Sequence, residues 1–166
     1  NGVFVFNAFL YSLLTGCLFH LLFVRLTGGR RLFSACMAVL GVVSLHNLLI
    51  RPIMQIVYPA FVAFLLALLT VLEKPRKASG YVWLGLINSV AFYLYPYLWM
   101  MTFAVTGLLF LHLLIMRDRT AIRSFLLMSL GIGIVCIPQI LTLVSLFSDN
   151  MAAAVSIRTG LVETHR

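Results

Sequence analysis

Residues 32–73 carry a single charge, Arg51, before Glu73 closes the run. Drawn as one helix at about 1.5 Å per residue, these 42 residues would reach about 60 Å, twice the hydrocarbon thickness of a bilayer. Such a run must turn, and Arg51-Pro52 is the natural corner. Proline has no N–H to donate, and its ring clashes with the preceding turn. Arginine is tolerated in apolar surroundings only at an interface, in a cavity or beside a partner. A cation and two prolines, Pro52 and Pro59, therefore mark a bend between two membrane helices.

Composition decides between a membrane bundle and a soluble core. The chain is 63% hydrophobic with a mean hydropathy of +1.10, well above the roughly 45–50% apolar share of soluble domains. The net charge of +8 does not point to nucleic acid, because the cations fall in short clusters between apolar spans. That is the pattern of cytoplasmic loops, and no nucleic-acid partner is expected. Cys17, Cys36 and Cys136 stand singly in apolar segments and read as small buried residues. They show no zinc spacing. No metal site or cofactor is expected, and a divalent metal finds no support in these residues. The chain opens inside a hydrophobic run, Asn1-Gly2-Val3-Phe4, without a signal-peptide pattern. It is read as a piece of a longer membrane protein, forming one helical domain over 1–166.

The expected fold is an all-α integral membrane bundle of about six transmembrane helices, with two proline-containing hairpin tips on the outer side. The spans fall at about 3–24, 32–50, 53–72, 81–95, 97–116 and 124–147, and the tail from 148 is more polar. Residues 81–116 hold no formal charge, again too long for one span, and Pro96 divides them. The first arm of that hairpin is short, and its tip can lie below the membrane surface if it faces protein or water. Gly131, Gly133 and Pro138 in the last span suggest close packing and a kink. Basic loops 25–31, 74–77 and 117–123 hold nine of the twelve Lys and Arg residues. The positive-inside rule then makes these loops cytoplasmic and both chain ends extracytoplasmic.

Arg51 is the exception, a cation on the side that should be poor in them. Asn47, Arg51, Gln55 and Tyr58 are spaced four, four and three apart, which is one face if the helix survives the corner. His46 is adjacent. The second outer tip, Phe92-Tyr93-Leu94-Tyr95-Pro96-Tyr97-Leu98-Trp99, carries Tyr93, Tyr95, Tyr97 and Trp99. Such residues form interfacial belts in any membrane protein, and arginine at a helix end can simply meet lipid phosphate. The functional alternative is a binding site for a phosphate-bearing amphiphile. A guanidinium forms a planar fork matched to phosphate oxygens. The tail holds Asp149, Arg158, Glu163, His165 and Arg166; a lone Asp or Glu there reads as solvated, and Asp149 is a weak candidate as a general base or metal ligand. His20 and His112 read as interfacial or packed. Gly131-Ile132-Gly133 is no phosphate loop, having neither a preceding strand nor a following lysine.

Arg51-Pro52, Gln55, Tyr58-Pro59, Glu73-Lys74-Pro75-Arg76, Gly85, the Phe92–Trp99 tip and Gly160-Leu161-Val162 together resemble the middle of GT-C type membrane glycosyltransferases and their prokaryotic relatives. The resemblance covers about residues 40–166. It implies a polyprenyl-phosphate-linked sugar donor used at the outer face. It also implies a catalytic acid in the first outer loop, whereas the first loop here is basic. Either the catalytic part lies upstream of Asn1, or the resemblance does not hold. No catalytic residue is carried over; Arg51 and the Tyr93–Trp99 part of the tip carry over as donor-binding candidates. Two other readings stay open, a transporter and an accessory or structural subunit assembled with other membrane chains. A transporter would favour an ionisable residue midway along a span, and none is present.

Overall fold

The computed structural model describes the backbone of residues 2–44 and 52–148 and the side chains of 6–44 and 55–145. Asn47 and Arg51 of the expected binding set, with His46 and the whole tail from Asp149, lie outside the described residues. Among the described residues there are six helices: α1 Gly2–Leu26, α2 Arg31–Ser44, α3 Pro52–Glu73, α4 Ala78–Leu94, α5 Pro96–Met116 and α6 Arg119–Ser148. No strand occurs among the described residues. The segments Phe6–Leu26, Gln55–Glu73, Pro96–Met116 and Arg119–Ser145 are long and apolar enough to cross a membrane. The described 14 residues of α2 and the 17 of α4 measure about 21 and 26 Å, short of a full crossing of about 30 Å. The chain divides into two units, Asn1–Ile132 and Gly133–Arg166.

In the first unit, α1 packs against α2 and α3, and α3 also packs against α4 and α5, which contact each other. Each described connection has a local cause. The α1 end is a Schellman motif: Gly29 N–H donates to Val24 O at 2.9 Å and Gly28 N–H to Arg25 O at 3.4 Å. Gly28 and Gly29 have φ of 65° and 96°, a left-handed conformation that glycine adopts without a Cβ penalty. Between α3 and α4, the Tyr81 hydroxyl donates to Pro75 O at 2.9 Å and holds the tight 74–77 turn. The α4–α5 break is Tyr95, extended at φ −158° and ψ 129°, with Pro96 as the first residue of α5. The residue before a proline is pushed out of helical space, and proline suits a helix start.

Residues 117–123 were expected as a loop, but only Arg117 and Asp118 interrupt the helices. Asp118 is the reason. Its Oδ1 accepts from the Thr120 N–H at 3.1 Å and the Ala121 N–H at 3.3 Å, so it caps α6 five residues earlier than the apolar pattern begins.

The short turns at 74–77 and at Tyr95 fold α3, α4 and α5 back against one another, and side-chain bonds gather the basic loops at one end of this unit. Arg25 Nη1 donates to Thr70 Oγ1 at 2.7 Å and to Leu66 O at 3.3 Å, tying the end of α1 to the end of α3. Arg76 Nε meets Asp118 Oδ2 at 2.9 Å, tying the second loop to the third. The start of α3 and the 92–99 tip therefore share the opposite end.

Val62, Phe64, Val71, Tyr81, Leu84 and Ala91 belong to the buried core of this unit. Glycine placement differs from expectation. Gly131 and Gly133 have open space where a Cβ would project, so neither supports close packing among the described residues. The close approach is at Gly85, where a Cβ would lie 2.9 Å from Met128 Cγ. Asn88, fully buried, donates from Nδ2 to Leu84 O at 3.0 Å and to Thr106 Oγ1 at 3.2 Å across α4 and α5. Cys17 and Cys36, expected to be buried, are exposed; Cys136 is buried. The helices leave large apolar side chains uncovered, among them Leu32, Ile115 and Leu108, which suits a lipid-facing surface.

In the second unit, α6 continues through Pro138 without ending. Thr142 Oγ1 donates back to Pro138 O at 2.9 Å, and Ser145 Oγ to Thr142 O at 2.9 Å. These hydroxyls bond within their own helix instead of facing hydrocarbon unsatisfied.

Candidate functional site

The 92–99 tip is an aromatic cluster larger than the sequence candidates. Phe92 is its hub. Its ring centroid lies 5.4 Å from Trp99, edge to face, and 6.0 Å from Tyr93. Phe103, one turn beyond Trp99 on α5, joins at 5.8 Å from Trp99 and 6.4 Å from Phe92. Tyr95 and Tyr97 form a second pair at 5.5 Å across the proline. Such contacts add about 0.5–1.5 kcal/mol per pair beyond area burial. Phe92 and Phe103 were absent from the expected set. The signal was available, because Phe92, Trp99 and Phe103 become neighbours once the chain reverses at Tyr95.

The tip rings have two characters. Tyr93 and Tyr97 are exposed. Tyr95 and Trp99 are half-buried.

Gln55 and Tyr58, from the α3 part of the expected set, sit at the same end of the unit. Tyr58 is half-buried. Gln55 is 3% exposed, and its Nε2 has no acceptor among the described residues. A buried amide without a partner costs about 1–3 kcal/mol, so a polar group is called for beside it. Gln55 is four residues from Arg51.

The opposite end differs in character. Asp118 accepts from Arg76 Nε as well as from two backbone N–H groups. The Arg76 hydrogen bond first, then the bonds at the start of α6, hold the Asp118 carboxyl below the usual carboxylate range. His112 is exposed beside this pair. His20, half-buried, has a buried Nδ1 without a partner among the described residues and lines an apolar groove between α1 and α2. No three His, Cys, Asp or Glu side chains are grouped to hold a metal ion among the described residues.

The described residues thus place a cluster of π-faces and a buried amide at one end, and a cation-rich rim at the other. The chain shows no significant match to any family model, to the curated proteins or to the solved structures.

Proposed function

We propose that this chain is the transmembrane scaffold of a lipid-linked-sugar-dependent glycosyltransferase. In this reading all six helices cross or enter the membrane. The basic loops are cytoplasmic and the 92–99 tip is extracytoplasmic, as the positive-inside rule directs. A phosphate-bearing amphiphile, a polyprenyl-phosphate-linked sugar, binds at the tip end. Arg51 and Asn47 hold the phosphate with Gln55, Tyr58 borders them, and the rings at Tyr93, Tyr95, Tyr97 and Trp99 flank the sugar or the isoprenoid. A departing phosphate is stabilised by a preorganised cation, a role this reading gives to Arg51. The base that would activate an acceptor is not assigned.

The observation that carries this reading is Gln55: a buried amide without a partner among the described residues, at the end of the unit that bears the aromatic cluster. The test is binding of polyprenyl phosphate to the purified chain in detergent, wild type against Arg51→Ala. Loss of one charge-assisted hydrogen bond weakens binding by about tenfold or more. The variant should elute and unfold like wild type. Unchanged affinity in a folded Arg51→Ala protein would remove the phosphate role.

One observation favours a second reading, an accessory subunit packed against other membrane chains. Among the described residues nothing lies within 4 Å of a Cβ built at Gly107 or Gly131, as at a helix-docking glycine before a partner arrives. Under that reading Gly131→Ile releases a co-purifying membrane protein, while Arg51→Ala does nothing.

A further inference from the structure

At the end of the first unit away from the aromatic tip, a cavity of about 430 Å³ opens between the ends of α3 and α5 and the start of α6. Its size falls within the range of small-ligand sites, about 300–1,000 Å³. We propose that it is a headgroup site for an anionic phospholipid.

Its lining changes character with depth. Arg76, Arg117 and Arg119 stand at the rim with His112. Beneath them are Val71, Leu109 and Leu113, all buried and apolar. A phospholipid has the same order, an anionic phosphate above a glycerol and acyl chains. Basic pockets between membrane helices are the recognised setting for such headgroups.

Charge within the cavity favours an anion. Three guanidiniums face one carboxylate, Asp118. That carboxylate is already committed, to Arg76 Nε and to the Thr120 and Ala121 N–H groups. Among the described residues neither Arg117 nor Arg119 has a carboxylate partner. The start of α6 adds its positive dipole end to the same rim.

Arg117 supplies a second, independent observation. It ends α5 at φ 52°, and it is the one non-glycine residue with positive φ among the described residues. Glycine is the usual occupant of that helix-ending position. An arginine there keeps a charge at the cavity rim in a conformation that disfavours side chains. Helix termination alone does not call for it.

The experiment measures lipid retention by native mass spectrometry on the purified full chain, offered phosphatidylglycerol, phosphatidylcholine or inorganic phosphate. Phosphatidylglycerol should be retained in preference to phosphatidylcholine. Arg117→Asn with Arg119→Gln should weaken that retention by about thirtyfold, two surface cations' worth. Arg30→Gln with Arg31→Gln removes the same charge from the first loop and should leave retention unchanged. Asp118→Asn keeps a helix-capping side chain, deletes the competing carboxylate and should strengthen retention several-fold. That gain cannot come from misfolding, so it decides the matter even if the double arginine variant fails to fold. Equal retention of the two lipids, an equal loss from the first-loop variant, or no gain with Asp118→Asn would each overturn the site. Inorganic phosphate binding as tightly as phosphatidylglycerol would assign the cavity to a soluble anion instead.

Discussion

Gly85 is the residue on which the contact between α4 and the first half of α6 turns. A Cβ built there meets Met128 Cγ at 2.9 Å, against an ordinary carbon–carbon contact of about 3.5–4.0 Å. Alanine gains about 1 kcal/mol of helix propensity over glycine, and overpacking costs about 1–3 kcal/mol. The net cost of Gly85→Ala should therefore be about 0–2 kcal/mol, held down because methionine repacks readily. Met128 is 8% exposed, so Met128→Ala alone should cost about 2–5 kcal/mol. Together the two changes should cost less than their sum, since the new methyl enters the space that the thioether left. A coupling of about 1 kcal/mol is the expected signature of direct contact. The assay is reversible unfolding in mixed micelles by rising denaturing-detergent fraction, with all four members of the cycle. Gly131→Ala, whose Cβ meets nothing, should be neutral or slightly stabilising. Additive costs within about 0.5 kcal/mol would refute the packing assigned to Gly85.

Acid should act on the joint between the second and third basic loops. Asp118 has its carboxyl held below the usual Asp value of about 3.9, so its contribution to stability is complete above that value. The contribution fades as pH falls through the lower, folded value; Asp118→Asn should flatten that part of the acid unfolding curve, and an unaltered curve would deny the Arg76–Asp118 joint a role. Membrane topology is read by cysteine labelling in a chain with its three native cysteines replaced. Ser79→Cys at the basic end and Ser44→Cys at the far end of α2 should react from opposite sides; reaction of both from one side would leave α2 short of a crossing.

Much of the helical plan was legible because its causes are local. Pro96 ends α4 and starts α5 where the uncharged length demanded a break, and the Gly28-Gly29 pair supplies the positive φ that closes α1. Hydropathy marked the spans, since only length and apolarity are needed for that. The start of α6 was misplaced because the basic run looked like a loop. A capping aspartate works whatever the charge of its neighbours.

The candidate sites were legible only in part. Tyr93, Tyr95, Tyr97 and Trp99 announced themselves by type, but Phe92 as hub and Phe103 as partner depend on the reversal at Tyr95. The basic loops were readable as topology signals, yet not as the rim of a cavity, because Arg76 and Arg117 are brought together by α3, α5 and α6 from 41 positions apart. Glycine made the same point. Composition cannot tell Gly85, pressed against Met128, from Gly131, open to its surroundings.

By itself the sequence determined the helical class, four segments long and apolar enough to cross a membrane, and the breaks at Gly28-Gly29 and Pro96, because hydropathy, proline geometry and glycine turns act within a few residues. Only the tertiary structure decided which faces touch, where the buried amides of Gln55 and Asn88 lie, and that the second and third basic loops share a cavity. Those outcomes depend on how helices distant in the chain pack together, and packing is set by the shapes of both partners at once.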